Sequence, residues 1–171
     1  MKKPTTSRSI VVILDNIRSI HNVGSILRTS DGFGVSAVYC TGYTPYPEIE
    51  GDTRLPHVIR NISAAMHKTA IGAEKSMTLH YREQVSDTIS EIQTAGYRVI
   101  ALEQDTSSVL LEKILITEKI ALVVGNERDG ISGAVLSKCD VICEIPMFGS
   151  KESFNVSVAT GIALHWLRSI A

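Results

Sequence analysis

The chain predicts a three-layer α/β domain on a mostly parallel sheet, and three observations carry that prediction. The runs Ile10-Val11-Val12-Ile13-Leu14 and Ile120-Ala121-Leu122-Val123-Val124 are apolar at every position, as strands covered on both faces must be. Segments with apolar residues at three- and four-residue steps alternate with such runs, the order that stacks helices on both faces of a parallel sheet. The length, 171 residues, suits one hydrophobic core, so residues 1–171 are expected to form a single domain.

The elements follow in order. A strand at 9–14 leads into a polar loop and a helix over 23–33, where Asn22 is placed to cap. A second strand spans 36–40. Residues 42–56 hold Gly42, Pro45, Pro47, Gly51 and Pro56, which no helix interior or central strand accommodates, so a long loop is expected. Helical spacing returns over 61–71, 84–95, 109–115, 132–137 and 155–169, interleaved with strands at 78–81, 97–102, 119–124 and 141–145. Pro146 closes the last strand. The final helix carries the clearest stripe: Ala159, Ile162, Ala163, Trp166, Leu167 and Ile170. That stripe packs on the sheet or, with the sole Trp of the chain on it, marks a subunit interface.

Composition narrows the function. Hydrophobic residues make up 44% and charged residues 20%, which excludes a disordered chain. The start, Met1-Lys2-Lys3-Pro4, is basic, but the apolar block after it is too short for a secretory signal, and no run reaches the length of a membrane span. Cys40, Cys139 and Cys143 form no disulfide framework and are read as thiols of a reducing cytoplasm. The five histidines show no metal-ligand spacing. Net charge is −1, against a protein that coats nucleic acid by bulk attraction. Yet residues 1–75 hold nine Lys/Arg against six Asp/Glu, and residues 76–171 eight against twelve. A basic front half suits phosphate.

The glycine fingerprint of dinucleotide folds, the phosphate-binding Gly-Lys-Ser/Thr loop and the Gly-x-Ser-x-Gly elbow are all missing. Three polar clusters remain, each following a strand. The first runs from Asp15 to Thr29 and holds Asn22 and Arg28; the second is Gly125-Asn126-Glu127-Arg128-Asp129-Gly130-Ile131-Ser132; the third is Ile145-Pro146-Met147 through Ser153-Phe154-Asn155 into the last helix. Carboxyl ends of strands are where open α/β sheets bind ligands. Gly125 lets a ligand approach the backbone. Ser153 and Asn155 put two short polar groups at a helix start, where one would suffice to cap.

Asn22-Val23-Gly24-Ser25-Ile26-Leu27-Arg28-Thr29, the segment from Gly125 to Ile131, and the segment from Ile145 to Ala159 together resemble, in order and spacing, the three motifs of the SpoU (TrmH-like) branch of the SPOUT RNA methyltransferases. Phe154 stands where that family more often has Leu. The match spans nearly the whole chain as a catalytic domain, without the family's additional amino-terminal RNA-binding domain. The resemblance implies a deep trefoil knot in the carboxyl-terminal part of the sheet, a homodimer with its site near the subunit interface, and methyl transfer from S-adenosylmethionine to a ribose 2′-hydroxyl of tRNA or rRNA, with no metal. By the same resemblance Arg28 is catalytic, with Asn22, Glu127, Ser153 and Asn155 around it, and Leu102, Gly125, Ile145 and Phe154 contact the cofactor. An RNA-binding module of the same fold without catalytic activity is the alternative.

For the RNA surface, Arg18, Arg28 and Arg54 are the first candidates, with Arg8, Arg60 and Lys68 adding charge. Tyr43 and Tyr46 either stack on unpaired bases or pack beneath the Pro-rich loop.

Overall fold

The computed structural model describes residues 8–169. The basic start, residues 1–7, and Ile170 at the end of the predicted stripe lie outside them. The elements are β1 (Ser9–Asp15), α1 (Ile20–Gly32), β2 (Ala37–Thr41), α2 (Pro56–Ala70), α3 (Ala73–Ser76), β3 (Leu79–Arg82), α4 (Val85–Thr94), β4 (Arg98–Leu102), β5 (Val109–Leu110), β6 (Lys119–Val124), α5 (Gly133–Leu136), β7 (Val141–Glu144) and α6 (Val156–Ser169).

Seven strands form one sheet in the order β3-β2-β1-β6-β4-β7-β5. Every pairing between them is parallel. β1 and β6 lie side by side at the centre, Leu14 opposite Val124, and both are buried along nearly their whole length. Their side chains alternate between two apolar layers. Ile10, Val12 and Leu14 join α1, α2 and α6 through Ile26, Leu27, Met66 and Leu164. Val11 and Ile13 join α4 and α5 on the opposite face through Ile89, Ile92 and Val135. The three-layer α/β class predicted from the sequence is the fold observed.

The connections that leave the two central strands diverge. The chain leaving β1 enters α1 on one face, while the chain leaving the adjacent β6 enters α5 on the other. Neighbouring parallel strands whose connections diverge leave an opening at their carboxyl ends, the usual ligand position in open α/β sheets.

Three local readings are corrected. Residues 109–115, expected as a helix, instead form the short edge strand β5 and a single 3-10 turn, Leu111–Lys113; the apolar residues there cover the sheet edge and fill the first layer through Leu111 and Ile114. α2 begins at Pro56, five residues before the expected start at 61, because proline is suited to the first helical position, where no amide donor is needed. α1 is capped by Ser19, not Asn22: the Asn22 amide donates to Ser19 Oγ at 3.3 Å. Among the described residues no helix is long and apolar enough to cross a membrane.

Candidate active site

At the carboxyl ends of β4, β6 and β7 lies a cavity of about 460 Å³, within the range of small-molecule sites. Leu102, Gly125, Ile145 and Phe154, the four residues expected at the cofactor, all line it. So do Glu127, Ser153 and Asn155. Each arrives by a simple route: Leu102 ends β4, Gly125 and Glu127 follow β6, Ile145 follows β7, and Ser153, Phe154 and Asn155 precede α6. Gly125 is required by close approach, since a Cβ there would stand 2.5 Å from Ile131 Cγ1 and 2.7 Å from the Gly130 carbonyl.

Hydrogen bonds join the three polar clusters. Glu127 Oε2 accepts the Arg18 amide at 2.9 Å, and Oε1 accepts the Ser19 amide at 3.0 Å and Asn22 Nδ2 at 2.9 Å. Asn22 Oδ1 in turn accepts Asn155 Nδ2 at 3.2 Å. One carboxylate therefore ties the loop before α1 to the loop after β6, and Asn22 carries the link to the start of α6. Partial burial would raise the Glu127 carboxyl, but the Arg18 amide, the Asn22 side chain and the Ser19 amide outweigh it and hold the group below its ordinary value. The ionised form is the one that fits.

Asn155 also caps α6: its Oδ1 accepts the Ser157 amide at 2.9 Å and the Ser157 hydroxyl at 2.6 Å. Ser153, the other short polar group at this helix start, is exposed two residues upstream. Arg28 lies on the outer side of α1, exposed and outside the cavity lining. It makes no hydrogen bond or ion pair among the described residues, and it does not meet Glu127.

Two residues of the site, Glu103 and Gln104, lie outside the polar clusters of the sequence, and two more, Asn126 and Arg128, stood in the second cluster with no role assigned. Asn126, buried, organises the second loop: Oδ1 accepts the amides of Arg128 and Asp129 at 2.8 and 3.0 Å, while Nδ2 donates to the Asn16 carbonyl and the Tyr43 hydroxyl. Glu103, Gln104 and Arg128 line the cavity. Glu103 carried a readable signal, a carboxylate directly after the strand ending in Leu102.

The basic candidates separate. Arg18 is exposed beside the site. Arg54 is taken up within its own loop, 2.6 Å from Asp52, donating to the carbonyls of Tyr46 and Pro47 and lying 3.6 Å from the centre of the Tyr46 ring. Tyr46 is stacked against Tyr81, so packing beneath the loop is its role. Arg8 donates to the Leu167 carbonyl. Burial pushes all three cysteine thiols up to about 12, which keeps them protonated. It also raises the carboxyl of Asp15 at the end of β1, against a hydrogen bond from Thr41. No group of three or more His, Cys, Asp or Glu among the described residues could hold a metal ion.

Comparison with known proteins places this geometry. The chain is 31% identical over 159 residues to a 23S rRNA (guanosine-2′-O-)-methyltransferase RlmB of Nitrosomonas europaea, covering 93% of this chain and 55% of that protein. It is 30% identical to the tRNA (guanosine(18)-2′-O)-methyltransferase of Aquifex aeolicus, covering 92% and 68%. The AdoMet-bound rRNA methyltransferase from Sinorhizobium meliloti superposes with a TM-score of 0.78 at 26% identity, covering 94% of this chain and 56% of that one. The chain thus spans little more than half the length of several of its relatives. Residues 9–165 match the SpoU rRNA Methylase family, and the chain belongs to that family.

Proposed function

We propose that this chain methylates a ribose 2′-hydroxyl of tRNA or rRNA, with S-adenosylmethionine bound in the cavity beyond β4, β6 and β7. The observation that carries the reading is the Glu127–Asn22–Asn155 connection beside a cavity lined by Leu102, Gly125, Ile145 and Phe154. The residues fit the cofactor: apolar walls from Leu102, Ile145 and Phe154 suit an adenine and a thioether, and Glu103, Gln104 and Arg128 offer polar partners.

When bound, the cofactor supplies a methyl group already activated on a sulfonium, so what the protein must add is alignment and polarisation of a weak nucleophile. A guanidinium, with a pKa above about 12, holds a phosphate and orients the hydroxyl far more readily than it accepts a proton. Arg28 takes that role, and Ser153 and Asn155 position the substrate beside it. Arg28 does not line the cavity of its own chain, so a second copy brings it to the site. Phe154, which lines the cavity, and Val158 and Ile162 of α6 are apolar residues at 40%, 50% and 37% exposure, and they support a homodimer through this helix. Arg18 and Arg28 form the centre of the RNA surface, and Arg54 stands outside it. A cytoplasmic location and the knotted path of the carboxyl-terminal strands complete the reading.

The test uses bulk tRNA and rRNA with AdoMet labelled in its methyl group, digested to nucleosides. Label in a 2′-O-methylnucleoside is expected. Arg28→Ala should stay folded and bind AdoMet, yet lose transfer by orders of magnitude. Label in methylated bases alone, or undiminished transfer by Arg28→Ala, contradicts the proposal.

A further inference from the structure

Glu103 follows β4, and its amide donates to the Cys143 carbonyl at 2.9 Å, carrying the contact with β7 one residue beyond the strand. The side chain is then seated by main-chain donors. Oε2 accepts the Ile131 amide at 2.8 Å and Oε1 the Gln104 amide at 3.0 Å. Gly130, at a φ of +66°, approaches so closely that a Cβ would stand 2.5 Å from Oε2. The result is a half-buried carboxylate on the cavity wall, aimed by two loops and forming no ion pair among the described residues.

Of the other three carboxylates lining the cavity, two already accept side-chain or main-chain donors and one is exposed to solvent. Glu127 accepts three donors from the first polar cluster. Glu144 accepts the Ser108 hydroxyl at 2.5 Å. Glu152 is exposed on the outer loop and contributes its carbonyl to Gln104. An ionised carboxylate offers about four acceptor positions; the two amides occupy half of those on Glu103. Two remaining acceptors on adjacent oxygens match the two donors of a vicinal diol, and the ligand expected in this cavity has one such diol, on its ribose.

Resting on the cavity being the cofactor site, we infer that Glu103 accepts the 2′- and 3′-hydroxyls of the cofactor's adenosine and selects the ribosyl form over deoxyribosyl analogues. Among the described residues Arg128, on the facing loop, forms no ion pair with Glu103.

The experiment is isothermal titration of AdoMet and of its 2′-deoxyadenosyl analogue into the whole protein, into Glu103→Gln and into Ala159→Trp, with thermal melts to establish folding. Ala159 lines the same cavity, and a Trp there fills it. Wild-type protein should prefer the ribosyl ligand by about tenfold, as expected when a half-buried charged acceptor is deprived of one hydroxyl donor. In Glu103→Gln affinity for AdoMet should fall while that for the deoxy analogue barely changes, bringing the two within about threefold of each other. Equal affinities in the wild type overturn the inference whatever the variants do, as does discrimination retained in a folded Glu103→Gln. If Ala159→Trp abolishes binding while Glu103→Gln still discriminates, only the role of Glu103 falls. If a folded Ala159→Trp binds AdoMet as the wild type does, the cavity is not the cofactor site and both readings fall.

Discussion

Asn22 and Asn155 resemble ordinary helix-terminal residues in the sequence, and only one of them is. Asn155 caps α6, whereas Asn22 sits inside α1 and spends its side chain between Glu127 and Asn155. Removing a cap costs on the order of 1 kcal/mol, so Asn155→Ala should lower the melting temperature. Ser153→Ala should leave it unchanged, because Ser153 is exposed and caps nothing. A second expectation concerns pH. The Glu127 carboxyl titrates below its ordinary 4.5 in the folded protein, so its contribution to stability is present above that value and is lost as pH falls through the lowered one. Glu127→Gln should therefore be less stable than the wild type at pH 7, by about 2 kcal/mol for a donor left facing the Arg18 or Ser19 amide. The gap should close on acidification towards pH 3, and melts of both proteins across that range would reveal a constant gap if the argument is wrong.

Among the elements, the fully buried strands were legible because an uninterrupted apolar run leaves little other choice: β1 and β6 lie where Ile10–Leu14 and Ile120–Val124 placed them. The 109–115 segment was misread because Val109, Leu110, Leu111 and Ile114 satisfy helical spacing equally well, and the choice between helix and edge strand was made by β7, which is distant in sequence. Gly24 shows the same limit. In the sequence it is a weak residue inside a helix; in the fold it is the contact between α1 and α2, where a Cβ would stand 2.2 Å from Thr69 Oγ1 and 2.7 Å from the Met66 carbonyl. Alanine is favoured over glycine in a helix by about 1 kcal/mol, but overpacking against a backbone carbonyl costs about 1–3 kcal/mol. Gly24→Ala should thus destabilise the protein, and a raised melting temperature would show that the two helices are free to separate.

For the molecule as a whole, the site was legible to the extent that its residues sit at strand ends. The three polar clusters were visible one at a time, but their union through Glu127 spans more than a hundred residues of sequence. No local pattern reports such a contact. The contacts of Arg54 were hidden for the same reason, since its partners Asp52, Tyr46 and Pro47 are set by how the loop closes. The proposed dimer would cover the exposed Val158 and Ile162 of α6, and closed two-fold pairing is the common solution for such a contact. Sedimentation at micromolar concentration should give twice 18.6 kDa, and a stable monomer would remove the route by which Arg28 reaches the site.

Everything proposed about the chemistry depends on where the cofactor lies. A crystal structure of the protein with S-adenosylmethionine decides it. The adenosine should lie between Leu102, Ile145 and Phe154, with its ribose at Glu103, in the cavity beyond β4, β6 and β7. Cofactor density at any other place on the chain, with this cavity open, would contradict the account.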